Sequence, residues 1–154
     1  MSHELGHGVM CIVEGVKVKS AAVMFAVITF GGAVEPDEED MEKASIWSRM
    51  RIYAMGSIIN LITGLLTIPV FIFFGQSMPV YMLIFFNWLY FVAINLAMMN
   101  MLPIGPLDGG QMWREFTQRF SFGQSLRTGA TYGFIGLILM NIILSLSKFG
   151  LVPI

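Results

Sequence analysis

Charge is scarce in this chain of 154 residues, and the scarcity excludes whole classes of function. Nine Lys and Arg stand against ten Asp and Glu, giving a net charge of −1 and a charged fraction of 12%. A soluble domain carries about twice that fraction, and a nucleic-acid binder needs a basic surplus. Cysteine is nearly absent: Cys11 stands alone, so no internal disulfide framework exists, and one thiol says nothing firm about compartment. No repeat or low-complexity tract breaks the chain. No charged n-region and apolar h-region precede the first motif, so the opening does not read as a signal peptide. What remains is apolar. Hydrophobic residues make up 56%, with 13 Phe and 13 Met, and the mean hydropathy is +0.73. Such a composition describes an integral membrane protein.

Against that background the first eight residues, Met1-Ser2-His3-Glu4-Leu5-Gly6-His7-Gly8, concentrate polar chemistry. His-Glu-x-x-His on a helix places two imidazoles one turn apart on one face, where both reach a single zinc ion, with Glu4 beside them as a base for water. By chance the pattern appears in roughly one in a few hundred chains of this length. Ionisable groups in so apolar a protein are rare and usually functional. A catalytic zinc needs one more protein ligand and an open position. Asp108, in Leu102-Pro103-Ile104-Gly105-Pro106-Leu107-Asp108-Gly109-Gly110, is the candidate, and the two motifs together favour it over the bland alternative of a turn residue ahead of two glycines. Cys11 lies on the same helix face as His7, but it adds about 6 Å of rise, too far along the axis for a compact tetrahedron. Glu14 is farther still and marks the wet end of the helix.

Taken in order, residues 3–14 read as a helix that Gly15 ends. Val16 to Val34 reads as strands or a re-entrant hairpin: Val16-Lys17-Val18-Lys19 alternates, and Val23, Val27, Ile28, Thr29 and Phe30 favour extended backbone. Non-helical backbone at membrane depth has to be buried in protein or line a wet cavity. The acidic run Glu35-Pro36-Asp37-Glu38-Glu39-Asp40 reads as a helix N-terminus with Pro36 in its first turn, rather than as a substrate-selecting rim. A helix then runs through Trp47, Arg49 and Arg51 into the membrane and continues to about Phe74 as the first full span, with Gly56, Asn60 and Gly64 on one packing face. A second covers Val80 to about Leu102 and carries Asn87, Asn95 and Asn100. Residues 111–118 form a short amphipathic helix with Trp113 and Arg114 at the interface. A last span covers about Thr128 to Leu146, where Gly129 and Gly133 form a packing pair. The fold expected is therefore a mainly α polytopic membrane protein: about three full transmembrane helices, a partial motif helix and a short β segment.

Positive charge offers a check on the ligand set. Lys17, Lys19, Lys43, Arg49 and Arg51 precede the first full span, the turn at 75–79 carries no charge, and Arg114, Arg119 and Arg127 follow the second. By the positive-inside tendency the first and third groups are cytoplasmic. Two spans separate them, so the motif helix and the Asp108 loop return to one side of the membrane and can meet.

Together these residues carry a resemblance. His3-Glu4-Leu5-Gly6-His7 with Asn100-x-x-Pro103-x-x-x-x-Asp108-Gly109 resembles the site-2 protease family of intramembrane zinc metalloproteases. Gly56-x-x-x-Asn60 is similar to that family's central Gly-x-x-x-Asn element, although Ser57 stands where many members have proline. Glu14 to Ser20 and Glu35-Pro36-Asp37 look most like archaeal members. The family has at least one span and half the motif helix ahead of its first histidine, so Met1 is expected to be an internal start with one or more upstream spans missing.

The resemblance implies a single membrane-embedded metalloprotease domain over 1–154, cleaving peptide bonds within or near transmembrane helices of other proteins. It implies one Zn²⁺ per chain held by His3, His7 and Asp108, Glu4 as base, and Asn60 and Asn100 as supports for substrate or transition state. Its partners would be a transmembrane substrate and the lipid bilayer, with no nucleic acid. The chain would be a multi-pass protein of the cell membrane with its site opening to the cytoplasm. Two other classes fit the composition: a non-catalytic membrane scaffold, and a transporter or channel subunit that binds a metal or proton through the same three residues.

Overall fold

The computed structural model describes residues 2–26 and 29–148. The backbone packs as two compact units, 1–101 and 102–154.

In the first unit the motif helix α1 spans Ser2–Val13. It ends because Gly15 takes a left-handed turn at φ +73°, open to glycine without steric cost. The apolar stretch that follows folds as an antiparallel hairpin, β1 (Val18–Ala26) and β2 (Thr29–Pro36), in register Ala22↔Ala33 and Phe25↔Phe30. Val27 and Ile28, counted above with the extended residues, lie outside the described residues. Val16 does not begin the strand. It is buried with Cys11 and Ile52 in a small core that also takes Met10, Val18, Met41 and Ala44.

The acidic run resolves differently from expectation. Pro36 closes β2 instead of opening a helix, and Asp37 becomes the N-cap of a separate short helix, α2 (Glu38–Lys43), accepting from the Asp40 N–H at 3.1 Å. The carboxylates of the first turn complement the helix dipole. Arg49 Nη1 donates to the carbonyls of Met41 (3.2 Å) and Ala44 (2.8 Å), satisfying the C-terminal end of α2. Ser45 then caps α3 by accepting from the Ser48 N–H at 3.1 Å.

Helix α3 (Ile46–Phe74) and helix α4 (Val80–Asn100) are each long and apolar enough to cross a membrane. Pro69 sits inside α3. On the inner face of α3 lie Ile52, Gly56, Asn60, Gly64 and Thr67, all buried. Gly64 admits α4 closely, since a Cβ there would stand 2.6 Å from Ile94 Cδ1. Outward, Ile72 and Phe73 are 72% and 76% exposed, the arrangement of side chains that face lipid rather than protein. Three polar groups within the spans return to their own helix: Thr63 Oγ1 donates to Ile59 O (2.7 Å), Thr67 Oγ1 to Gly64 O (2.6 Å), and Asn95 Nδ2 to Phe91 O (2.7 Å).

The second unit holds α5 (Asp108–Thr117) and α6 (Gly123–Lys148). The amphipathic helix begins three residues earlier than its pattern indicates, because Asp108 opens its first turn. The last span likewise starts at Gly123 rather than near Thr128, and it too is long and apolar enough to cross a membrane. A Cβ at Gly129 or Gly133 would meet open space, so that pair packs against nothing described in this chain, contrary to the small-residue reading.

Candidate metal centre

Helix geometry alone stacks residues 3 and 7 on one face of α1. Tertiary structure then sets where their rings point. His7 is 9% exposed, and its Nδ1 lies 2.7 Å from the Ile52 carbonyl of α3. A carbonyl only accepts, so Nδ1 carries the proton and the neutral ring keeps its lone pair on Nε2. That Nε2 sits 3.0 Å from His3 Nε2, with the two rings edge to face at 82°. Two nitrogens so close share either a proton or a cation. Two imidazoles on one tetrahedral zinc, at about 2.0–2.1 Å each, place their nitrogens about 3.3 Å apart. The donor pair therefore fits the ion with a shift of a few tenths of an ångström.

The floor of this pair is Gly56. A Cβ there would collide with His7 Nε2 and stand 2.5 Å from His3 Cε1 and 2.7 Å from His3 Nδ1. Glycine at this position is a requirement of the imidazoles, and packing against another helix accounts for it less well. Gly6 on α1 shows the same closeness, since a Cβ there would stand 3.0 Å from Met55 O.

Two amides bracket His3. Asn60 Nδ2 lies 3.3 Å from its Nδ1, and Asn100 Nδ2 lies 3.4 Å from Nδ1 and 3.1 Å from Nε2. An amide turned end for end exchanges donor for acceptor, so both can serve either tautomer of the ring. Asn60, at 4% exposure, has its membrane-depth partners in His3 and in the Ser2 hydroxyl, which donates to its Oδ1 at 3.4 Å. Ser57 Oγ, beside Gly56, is buried with no hydrogen-bond partner among the described residues.

Glu4 is tied to the hairpin: its Oε2 accepts the Val34 N–H of β2 at 3.1 Å. Sequence reading missed this contact, and no side-chain pattern could have announced it, because the donor is main chain. Glu14 marks the opposite end of α1, where Arg51 forks onto it through Nε–Oε1 at 2.5 Å and Nη2–Oε2 at 3.0 Å. The Arg51 hydrogen bond, helped by Ser48, holds the Glu14 carboxyl below its ordinary value. Cys11 is fully buried against Val16 and Ile52, as a core side chain.

The structure thus gathers His3, His7, Asn60 and Asn100 within the first unit, with Glu4 on the adjoining face. Asp108 is placed in the second unit, as the first residue of α5. Its loop is tight, because a Cβ at Gly110 would collide with the Ile104 carbonyl.

Comparison with known proteins agrees with this chemistry. The model of peptidase family M50 matches residues 1–81 and 66–144. A zinc metalloprotease of Methanocaldococcus jannaschii is 28% identical over 153 residues, covering 94% of this chain and 42% of the relative. A Synechocystis protein whose name assigns it to the zinc metalloproteases is 25% identical over 146 residues, covering 89% of this chain and 35% of its own length. Rip3 of Mycobacterium tuberculosis, named in the same way, is 28% identical over 147 residues, with 95% and 35% covered. The chain spans about two-fifths of these relatives or less. No solved structure matches it. With three apolar helices among the described residues long enough to span a membrane, and a family match over most of its length, the chain belongs to peptidase family M50, the site-2 proteases.

Proposed function

We propose that this chain is the zinc-binding part of an intramembrane metalloendopeptidase, cleaving peptide bonds within or near transmembrane helices of other proteins. The observation that carries the reading is the His3–His7 pair: its nitrogens are 3.0 Å apart over a glycine floor, with His7 fixed in the metal-ready tautomer by the Ile52 carbonyl. His3 and His7 would hold one Zn²⁺, and Asp108 would supply the third protein ligand. When bound, zinc polarises the scissile carbonyl and acidifies water.

This chain's residues supply the rest. Glu4 takes a proton from the attacking water and returns it to the leaving amine. Asn60 and Asn100, each within reach of the His3 ring, would support the substrate or its tetrahedral transition state. A transmembrane helix hides its peptide bonds in its own hydrogen bonds, so it unwinds to be cut, and pairing with the hairpin edge holds it extended. Water reaches the site from the cytoplasmic side of the cell membrane, the side that the basic residues favour.

The test is Glu4→Gln in purified membrane protein, with zinc measured by mass spectrometry and cleavage followed on a labelled transmembrane peptide in liposomes. Zinc is retained at the wild-type stoichiometry while cleavage falls by roughly 10²–10⁴-fold. Near-normal cleavage by the variant removes Glu4 from this role. Stoichiometric zinc in a wild-type protein that cleaves nothing favours a metal-binding transport or scaffold role instead.

A further inference from the structure

We propose that the Val34 N–H is shared between Glu4 and the substrate backbone. It holds the Glu4 carboxylate while the outer edge of β2 is bare, and passes to a carbonyl of an extended peptide that adds to that edge. The inference rests on the reading of Glu4 as the proton acceptor, and makes a main-chain group of the hairpin a determinant of specificity.

The geometry follows from strand alternation. Val34 stands opposite Ala21 in the antiparallel ladder. Along such a strand, residues alternately direct their N–H and C=O toward the partner strand and away from it. The Val34 N–H goes to a side chain of α1, so it points away from β1. Alternation then places the main-chain groups of Gly32 on the same outer edge. A peptide pairing there needs the donors and acceptors of residues 32 and 34. Its carbonyl at the Val34 position and the Glu4 Oε2 compete for one hydrogen, and a single N–H serves one of them well.

The exchange links docking to chemistry. With the edge bare, Glu4 Oε2 is engaged at 3.1 Å by the strand. When an extended segment seats, the carboxylate loses that partner and turns to the water it deprotonates. A segment that stays helical, or is too short to pair, leaves Glu4 held by β2. Preference for unwound backbone is thereby written into the base itself. Since a hydrogen bond to a carboxylate is roughly twice as strong as one to a neutral carbonyl, wild-type Glu4 opposes peptide binding.

The experiment uses zinc-free full chain in detergent micelles, labelled with ¹⁵N-valine, and a neutral, end-blocked Val/Thr-rich decapeptide as the probe. Glu4→Ala shifts the Val34 amide resonance and speeds its hydrogen exchange, and the probe restores protection. The probe also binds Glu4→Ala about 3–10-fold more tightly than wild type, the size expected when a charge-assisted competitor is removed. Val34→Pro lacks the donor at an edge position that tolerates proline, and in that background Glu4→Ala changes the affinity no further. A backbone ester at position 34 gives the same result without altering the side chain. Equal probe affinity in wild type and Glu4→Ala overturns the proposal, as does a probe that fails to bind or leaves the Val34 amide unprotected. Zinc content and cleavage are scored separately. A chain that cleaves normally but shows equal affinities loses this inference alone. One that never cleaves but keeps the affinity difference loses the hydrolase reading alone.

Discussion

The two ends of α1 are fastened to the same helix, α3, by opposite means. At the first end, His3 and His7 rest on Gly56, His7 donates to the Ile52 carbonyl, and Asn60 reaches His3. These contacts are short and largely enclosed. At the other end Glu14 meets Arg51 in a fork whose arginine side chain is 56% exposed. Hydrogen bonds made away from water are costly to break, because the group left behind stays unsatisfied. An exposed ion pair has water as its alternative and contributes little. Substitutions at the first end should therefore change what the protein binds. Those at the second should adjust only how firmly it holds together.

Gly56→Ala gives the largest effect. The new methyl occupies space that both imidazoles use, and neither can withdraw without leaving the Ile52 carbonyl or the Asn60 amide. Zinc binding, measured by mass spectrometry on the purified protein, is lost while helical content by circular dichroism is unchanged. One zinc per chain in this variant would show that Gly56 serves packing alone. Asn60→Ala comes next. It removes an orienting partner of His3 without filling the cradle, and groups of that kind typically influence metal affinity by about 10–100-fold. Competition against a chelator of known affinity reads this directly, and unchanged affinity breaks the assigned link between Asn60 and His3.

Cys11→Ser probes the middle of α1. A thiolate is a good zinc donor, yet Cys11 lies fully buried with Val16 and Ile52. The variant keeps its zinc and loses about 1–3 kcal/mol of stability in denaturant unfolding, as a buried hydroxyl replaces a thiol. Loss of zinc with stability intact would move Cys11 from the core to the metal.

The motif helix was legible because its signal is local: the His3–His7 spacing dictates a common face, and Gly15 ends the helix by the conformation that glycine alone adopts cheaply. The strands Val18–Ala26 and Thr29–Pro36 were legible for a similar reason, through β-branched residues within a run too short to span a bilayer. Pro36 was misplaced because two rules competed at adjacent residues. Proline suits a first helical turn, but Asp37 is the better cap, so the strand ran on through Pro36 and the helix began after it. The main-chain supports of the site left no trace. Ile52 O and the Val34 N–H belong to the main chain, which carries no side-chain signature. Gly56 was visible as a small residue on a helix face, but the imidazoles it accommodates come from residues more than 45 positions away.

Glu14→Gln gives the smallest effect, and its sign depends on pH. Arg51 hydrogen-bonds Glu14 and, with Ser48, outweighs the desolvation that would raise its carboxyl, so its folded-state value lies below the ordinary 4.5. A depressed carboxylate contributes stability that is complete above its unfolded value and disappears as pH falls through the folded one. Wild type should therefore melt above Glu14→Gln at pH 7 by about 1–2 °C, a margin set by an exposed, screened pair. The margin closes as the pH drops below about 4.5. Glu35 is also held low, chiefly by the Ser20 hydroxyl and then by Lys19, but it is present in both proteins and cancels from their difference. Added salt at pH 7 narrows the margin, because the arginine side of the pair is 56% exposed. A margin that persists unchanged from pH 7 to pH 3 would mean that Glu14 acts through packing. The contrast between the two ends of α1 would then rest on shape instead of charge.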